Sequence, residues 1–149
     1  MPYSSRFYLL TFSFCLALSV TSGCGTLMHP KAGDFLNQAK GENGIVTQIN
    51  LTDMIQKTID AARSQGDYEP SLSDLHDQLY ALHKAGCQVS GDLAPNVAYH
   101  RAVTIRSELR TIFHRLWKFR DDPALRDNHL DLLATRVREL REALQAVKT

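Results

Sequence analysis

The chain has 149 residues, of which 44% are hydrophobic and 22% are charged. This composition is typical of one globular domain rather than of a disordered chain. Because 17 basic residues stand against 16 acidic ones, the charge excess of a nucleic-acid-binding protein is missing, and we expect no nucleic-acid partner. The charge is uneven, however. Residues 25–93 carry five basic and nine acidic side chains, a net −4, and residues 94–149 carry eleven and seven, a net +4.

The amino-terminal end has the layout of a signal peptide. Arg6 precedes the uncharged apolar run FYLLTFSFCLALSV. These fourteen residues are too few for a helix that crosses a bilayer, which needs about 20. The residues that follow, Thr21-Ser22-Gly23-Cys24, resemble the lipobox of bacterial lipoproteins, with Thr21 standing where an aliphatic residue is usual. The resemblance covers residues 1–25 only.

The resemblance implies that residues 1–23 are removed and that Cys24 carries a diacylglyceryl group at the start of the mature chain. It also implies sorting to the outer membrane, facing the periplasm, because Gly25 stands where the inner-membrane retention signal has Asp. The alternative is an ordinary signal peptide cleaved after Ser22. That alternative leaves Cys24 as an exposed free thiol, which is a liability in an oxidising compartment.

Residues 24–44 are mainly glycine and polar residues without apolar periodicity, and they predict a flexible tether. A helical domain is expected over residues 45–149. Its first residues, Ile45 to Leu51, alternate loosely in the manner of a short strand, but a lone strand has no partner to pair with.

Two shorter helices are predicted first. Asn50 is expected to cap one helix, which Gly66 ends, and Ser71 is expected to cap the next. Gly86 lies where a residue in the left-handed conformation ends many helices. The two segments therefore predict a helical hairpin.

Two long helices follow, the third from about Pro95 to Arg120 and the fourth from about Asp127, with a break at Asp122-Pro123. The fourth helix has apolar residues in alternating steps of 3 and 4, a heptad seam formed by Leu130, Leu133, Val137, Leu140, Leu144 and Val147. Two such helices favour an antiparallel pair that packs on the first hairpin, an all-α fold similar to a four-helix bundle. In the alternative, the seam joins two copies of the chain in a homo-oligomer.

No motif of catalysis, cofactor binding or metal binding is present. The chain has no Gly-rich phosphate loop, no Cys-x-x-Cys pair and no His-Glu-x-x-His, and we expect neither an enzyme nor a cofactor. His76 and His83 are seven residues, about 10 Å, apart along a helix, too far to share one ion, so no metal site is expected. A metal protein would have to gather scattered ligands, namely His76, His83, Cys87, His100 and His114.

Cys87 has no partner in its own chain and is expected to be buried, or else to form an intermolecular disulfide.

Two groups of residues on the third helix are candidates for contact with a partner. Basic residues spaced by four form a candidate anion-binding face, Arg106, Arg110, His114 and Lys118. This face is either solvated, or paired with the acidic residues Asp74 and Asp77, or in contact with lipid phosphates. Phe113 and Trp117 are candidates for contact with another protein, or else lie at the edge of the core.

These features favour a lipid-anchored, non-enzymatic protein of the cell envelope with a structural, scaffolding or assembly role. Its partners would be the membrane, through the lipid, and another envelope protein. The alternative function is a binding module for an anionic envelope ligand or a lipid surface, which would use the basic face of the third helix.

The intact mass of the protein after expression in a bacterial host tests the anchor. We expect the wild-type chain to begin at Cys24 and to carry lipid mass, and Cys24→Ser to lack it, because the thiol is the acceptor of the lipid. An unmodified wild-type chain that begins at Gly23 would contradict the lipobox interpretation.

Overall fold

The computed structural model describes residues 29–65, 68–89, 93 and 96–148. The predicted signal peptide, Cys24 and Gly25 lie outside the described residues. Within them the chain forms five helices and no strand: α1 (Ala32–Gln38), α2 (Gly44–Gln65), α3 (Tyr68–Cys87), α4 (Val97–Lys118) and α5 (Pro123–Lys148). The predicted all-α class is confirmed. None of the described helices is both long enough and apolar enough to span a membrane.

The four long helices form an up-down-up-down bundle. Helices α2 and α3 make one hairpin, α4 and α5 make the other, and α2 packs against α5 to join them. Ion pairs show that α2 and α5 are antiparallel, since Asp53 pairs with Arg141 at 3.0 Å and Arg63 pairs with Asp131. The side between α3 and α4 is the least closely packed of the four. A cleft is therefore expected on that side.

The heptad seam of α5 lies in the core of the bundle. Its residues from Leu130 to Leu144 are buried, and only Val147 at the end is partly exposed. They pack against the apolar stripes of α2 and α4. The seam thus packs within the chain. Two copies could pair through it only if they exchanged their α5 helices.

Helix α2 begins earlier than its sequence suggested. Asn43, and not Asn50, supplies the cap, because its Oδ1 accepts hydrogen bonds from the amides of Ile45 at 3.0 Å and Val46 at 2.9 Å. The residues that alternated like a strand belong to this helix. Three of their buried members, Ile45, Gln48 and Leu51, recur at a spacing of three, which a helix places on one side.

Helix α3 also differs from its prediction at both ends. It begins at Tyr68, so that Ser71 is a buried residue of the first turns rather than the cap. Pro70 is tolerated there because its missing amide would have no partner inside the helix. At the other end the helix runs through Gly86 to Cys87. Gly86 is therefore a helical residue and does not end the helix.

The connection between α4 and α5 is a short turn. Helix α4 starts after Asn96, whose Oδ1 accepts from the amide of Tyr99 at 3.1 Å, and it ends at Lys118. Helix α5 starts at Pro123 rather than near Asp127, since Asp122 Oδ1 caps it by accepting from the amide of Leu125 at 3.1 Å. The predicted antiparallel pair is present with a tighter turn.

Helix α1 lies inside the segment that was predicted to be a tether up to residue 44. It packs mainly against α3, and Ala32 and Ala39 at its two ends are buried. The side-chain Nδ2 of Asn50 on α2 donates to the backbone carbonyl of Ala39 at 3.0 Å. Alanine and glycine give little hydrophobic signal in a sequence, which explains why this packed helix was not predicted. The packed part of the chain includes residues as early as 29.

Two adjacent leucines of α5 test the bundle. Leu133 is fully buried and Leu132 is 42% exposed. We expect Leu133→Ala to lower the free energy of unfolding by about 2–5 kcal/mol, because it leaves a cavity in the core. Leu132→Ala, which removes the same atoms from the surface, should cost well under half of that. Urea unfolding of both variants measures this, and equal losses would contradict the observed packing.

Candidate functional site

A cleft of about 470 Å³ opens between α3 and α4, a volume within the range of small-molecule sites. Helix α3 contributes His76, Leu79, Tyr80, Leu82 and His83. Helix α4 contributes Val103, Arg106, Ser107, Arg110, Phe113 and His114, and His29 adds its ring from the segment before α1. The cleft therefore combines an apolar lining with cationic and imidazole groups.

Arg106 is fixed in place by two neighbouring helices. Its Nη1 donates to Oε1 of the fully buried Gln48 on α2 at 2.7 Å, and Gln48 Nε2 donates to the carbonyl of Gly44 at 3.1 Å. The guanidinium lies against Gly86 on α3, where any Cβ would overlap it. Glycine is thus needed at residue 86 for this close approach, and not for the left-handed turn that was predicted.

The arginines of the cleft have no acidic partner in the described part of the chain. Neither Arg106 nor Arg110 has a carboxylate oxygen within 4 Å there. The acids that the sequence offered as partners are engaged elsewhere: Lys31 Nζ pairs with Asp74 at 2.8 Å, and the Lys31 amide donates to Asp77 Oδ2 at 3.0 Å. The α4 wall therefore carries positive charge that this part of the protein leaves uncompensated.

One end of the cleft is built from two histidines around a buried carboxylate. The ring of His29 stacks on Tyr80 with centroids 3.9 Å apart, and it lies 4.2 Å from the ring of His76. Asp77 Oδ1 is 3.4 Å from Nδ1 of His29 and 3.6 Å from Nδ1 of His76. The Asp77 side chain is only 3% exposed. Three groups able to bind a metal ion thus converge here.

The pKa values of two cleft histidines lie below their ordinary range. Burial is the main cause of both shifts. The charge of His29 further lowers the pKa of His76, and the charge of Arg106 further lowers the pKa of His83. Both rings are therefore neutral at pH 7 and can accept a hydrogen bond or bind a metal. In the unfolded chain both histidines have their ordinary, higher pKa and take up a proton first. The free energy of unfolding therefore decreases as the pH falls below the ordinary histidine pKa.

The structure divides the predicted basic face. Arg106, Arg110 and His114 line the cleft. Lys118 lies outside its lining, and its Nζ is 5.3 Å above the ring of Phe119. Three of the four residues of the predicted basic face therefore line one wall of the cleft.

The two aromatic residues that were candidates for contact with a protein differ in exposure. Phe113 is 4% exposed and belongs to the core at the edge of the cleft. Trp117 is 39% exposed, 6.1 Å from the ring of Phe113, with the Arg120 guanidinium 5.0 Å from its ring. Of the two, only Trp117 offers appreciable surface to a partner.

The prediction that Cys87 is buried was wrong. The thiol is exposed, and its Sγ is 3.8 Å from Nε2 of His83. The two side chains share one turn because α3 continues through Gly86.

Sequence reasoning missed His29. It lies in the segment that was predicted to be a tether, and no spacing or motif around it sets it apart. Its place beside His76 depends on the docking of residues 29–31 on α3, which no periodicity in the sequence reveals.

Comparison with known proteins gives no match to a family model, to a curated protein or to a solved structure.

The histidines provide a test of the charge in the cleft. Because Arg110 contributes to the lowering of both pKa values, we expect Arg110→Gln to raise the pKa of His76 and of His83, as measured by NMR titration of the ring protons. Arg101→Gln removes an equal charge from an exposed position outside the cleft lining and should leave both values unchanged. Equal effects of the two variants would show that Arg110 does not act locally.

Proposed function

We propose that this chain is a lipid-anchored protein of the cell envelope whose helical domain binds a small anionic ligand in the cleft between α3 and α4. The observation that carries the proposal is the pair Arg106 and Arg110, set in a concave site without a carboxylate partner among the described residues. A guanidinium presents a planar set of donors that suits carboxylate and phosphate groups.

The lining favours a ligand with both an anionic and an apolar part. Arg106, Arg110, His114 and Ser107 can hold the anionic group. The apolar residues that also line the cleft, Leu79, Leu82, Val103 and Phe113, offer a surface for a hydrocarbon or aromatic part. Arg106 is already held by Gln48, so binding would cost little additional ordering of its side chain.

The proposed lipid anchor would keep the cleft near the membrane. If Cys24 carries the lipid, His29 lies only five residues further along the chain, and five residues span at most about 18 Å. His29 lines the cleft. An amphiphilic anion could therefore reach the cleft either as a lipid headgroup or as a free small molecule.

The scaffolding role that the sequence favoured first stays a prediction, as does the expectation that the protein is not an enzyme. The burial of Phe113 leaves Trp117 as the main exposed residue of the proposed protein contact. The cleft is the more specific feature, and it supports the ligand-binding function better.

Phenyl phosphate is a suitable probe, because it joins an anionic group to an apolar ring. We expect the wild-type protein to bind it, as measured by isothermal titration calorimetry. The double variant Arg106→Gln/Arg110→Gln should bind it about tenfold more weakly or worse, since one hydrogen bond to a charged group contributes about 1.5–3 kcal/mol.

The control is Arg101→Gln/Arg138→Gln, which makes the same change in net charge at two exposed positions outside the cleft. It should retain wild-type affinity, and added salt should weaken wild-type binding. Phosphatidylglycerol vesicles that displace phenyl phosphate would identify a lipid headgroup as the source, whereas vesicles without effect would favour a free ligand. Equal affinity in the two double variants would refute a site in the cleft.

A further inference from the structure

The group formed by His29, His76 and Asp77 has the dimensions of a metal site. Its three ligand atoms lie within 4.8 Å of one another, and Asp77 Oδ1 is 3.4 and 3.6 Å from the two Nδ1 atoms. Metal-to-ligand bonds of about 2.0–2.2 Å at tetrahedral angles place two ligand atoms about 3.3–3.6 Å apart. Asp77 Oδ1 already lies at this distance from both nitrogens, and a pair as far apart as 4.8 Å would close by more than about 1 Å on binding an ion.

One ligand atom of the group has no hydrogen-bond partner among the described residues. His29 Nδ1 is buried and makes no hydrogen bond, although it lies close to Asp77 Oδ1. A buried nitrogen without a partner is costly and uncommon. A metal ion between the two atoms would satisfy both of them.

The neighbours of the group keep its ligand atoms in position. The Lys31 amide holds Asp77 Oδ2, which leaves Oδ1 for the metal. The stacked ring of Tyr80 fixes the plane of His29. Such outer contacts are usual around the ligands of metal sites.

We propose that His29 Nδ1, His76 Nδ1 and Asp77 Oδ1 bind one divalent transition-metal ion, with Zn²⁺ as the first choice. Two imidazoles and one carboxylate suit this class of ion, whereas Mg²⁺ and Ca²⁺ prefer oxygen ligands alone. Because both histidines line the cleft, the remaining coordination position would face the cleft and accept water or an anion.

The test is titration of Zn²⁺ into untagged full-length protein that has been stripped with a chelator, followed by calorimetry. We expect one Zn²⁺ per chain, no competition from millimolar Mg²⁺, and weaker binding at pH 5, because protons compete with the metal ion for its ligands. Co²⁺ should give the visible absorption of a tetrahedral site. His29→Ala and His76→Ala should each weaken Zn²⁺ binding at least about tenfold, and His76→Ala leaves the Lys31 contact with Asp77 in place.

Two controls remove a histidine from elsewhere. His100→Ala changes an exposed residue of α4, and His83→Ala breaks up the other close pair, His83 with Cys87. Both should retain one Zn²⁺ with wild-type affinity. The proposal is overturned if the wild type binds no stoichiometric Zn²⁺, or if His83→Ala loses binding that His29→Ala and His76→Ala keep. Since the probe is the metal alone, a negative result leaves the proposed anion site untouched.

Discussion

The buried carboxylate of Asp77 is the constraint on which the arrangement of the site depends. A charge with so little access to water must be stabilised by protein groups. The Lys31 amide binds one of its oxygens, and the rings of His29 and His76 approach the other. All but His76 come from the segment before α1. These contacts offset the cost of burying the carboxylate and tie that segment to α3.

This docking keeps two acidic residues of α3 from pairing with the basic face of α4. Asp74 and Asp77 interact with residues 29–31, although the sequence offered them as possible partners of that face. Arg106 and Arg110 are left facing the open side of the bundle. This packing produces a cleft with arginines on one wall and imidazoles at one end. The proposed anion site and metal site both follow from it.

The spacing of residues in the sequence predicted the helices and the sides that they bury, but not individual contacts between side chains. The seam from Leu130 to Leu144 is buried as expected. Apolar residues spaced alternately by three and four lie on one side of a helix, and that side packs into the core. Arg106 and Arg110 were identified as part of a basic face whose residues are spaced by four. His29 was not identified, since its role arises from a contact with a helix nearly fifty residues away. Gly86 was misread, because a glycine that ends a helix and one that admits a neighbouring side chain look alike in a sequence.

Hydrogen exchange of the backbone amides in Asp77→Leu tests most directly whether this carboxylate holds the segment before α1. The account predicts that the amides of Lys31, Phe35 and Ala39 lose protection relative to the wild type, since Lys31 donates to Asp77 and starts the hydrogen bonds of α1. The amides of α5 should keep more of theirs, and they serve as the internal reference for global stability. Unchanged protection in α1, or a loss of the same size in α1 and α5, would contradict the account.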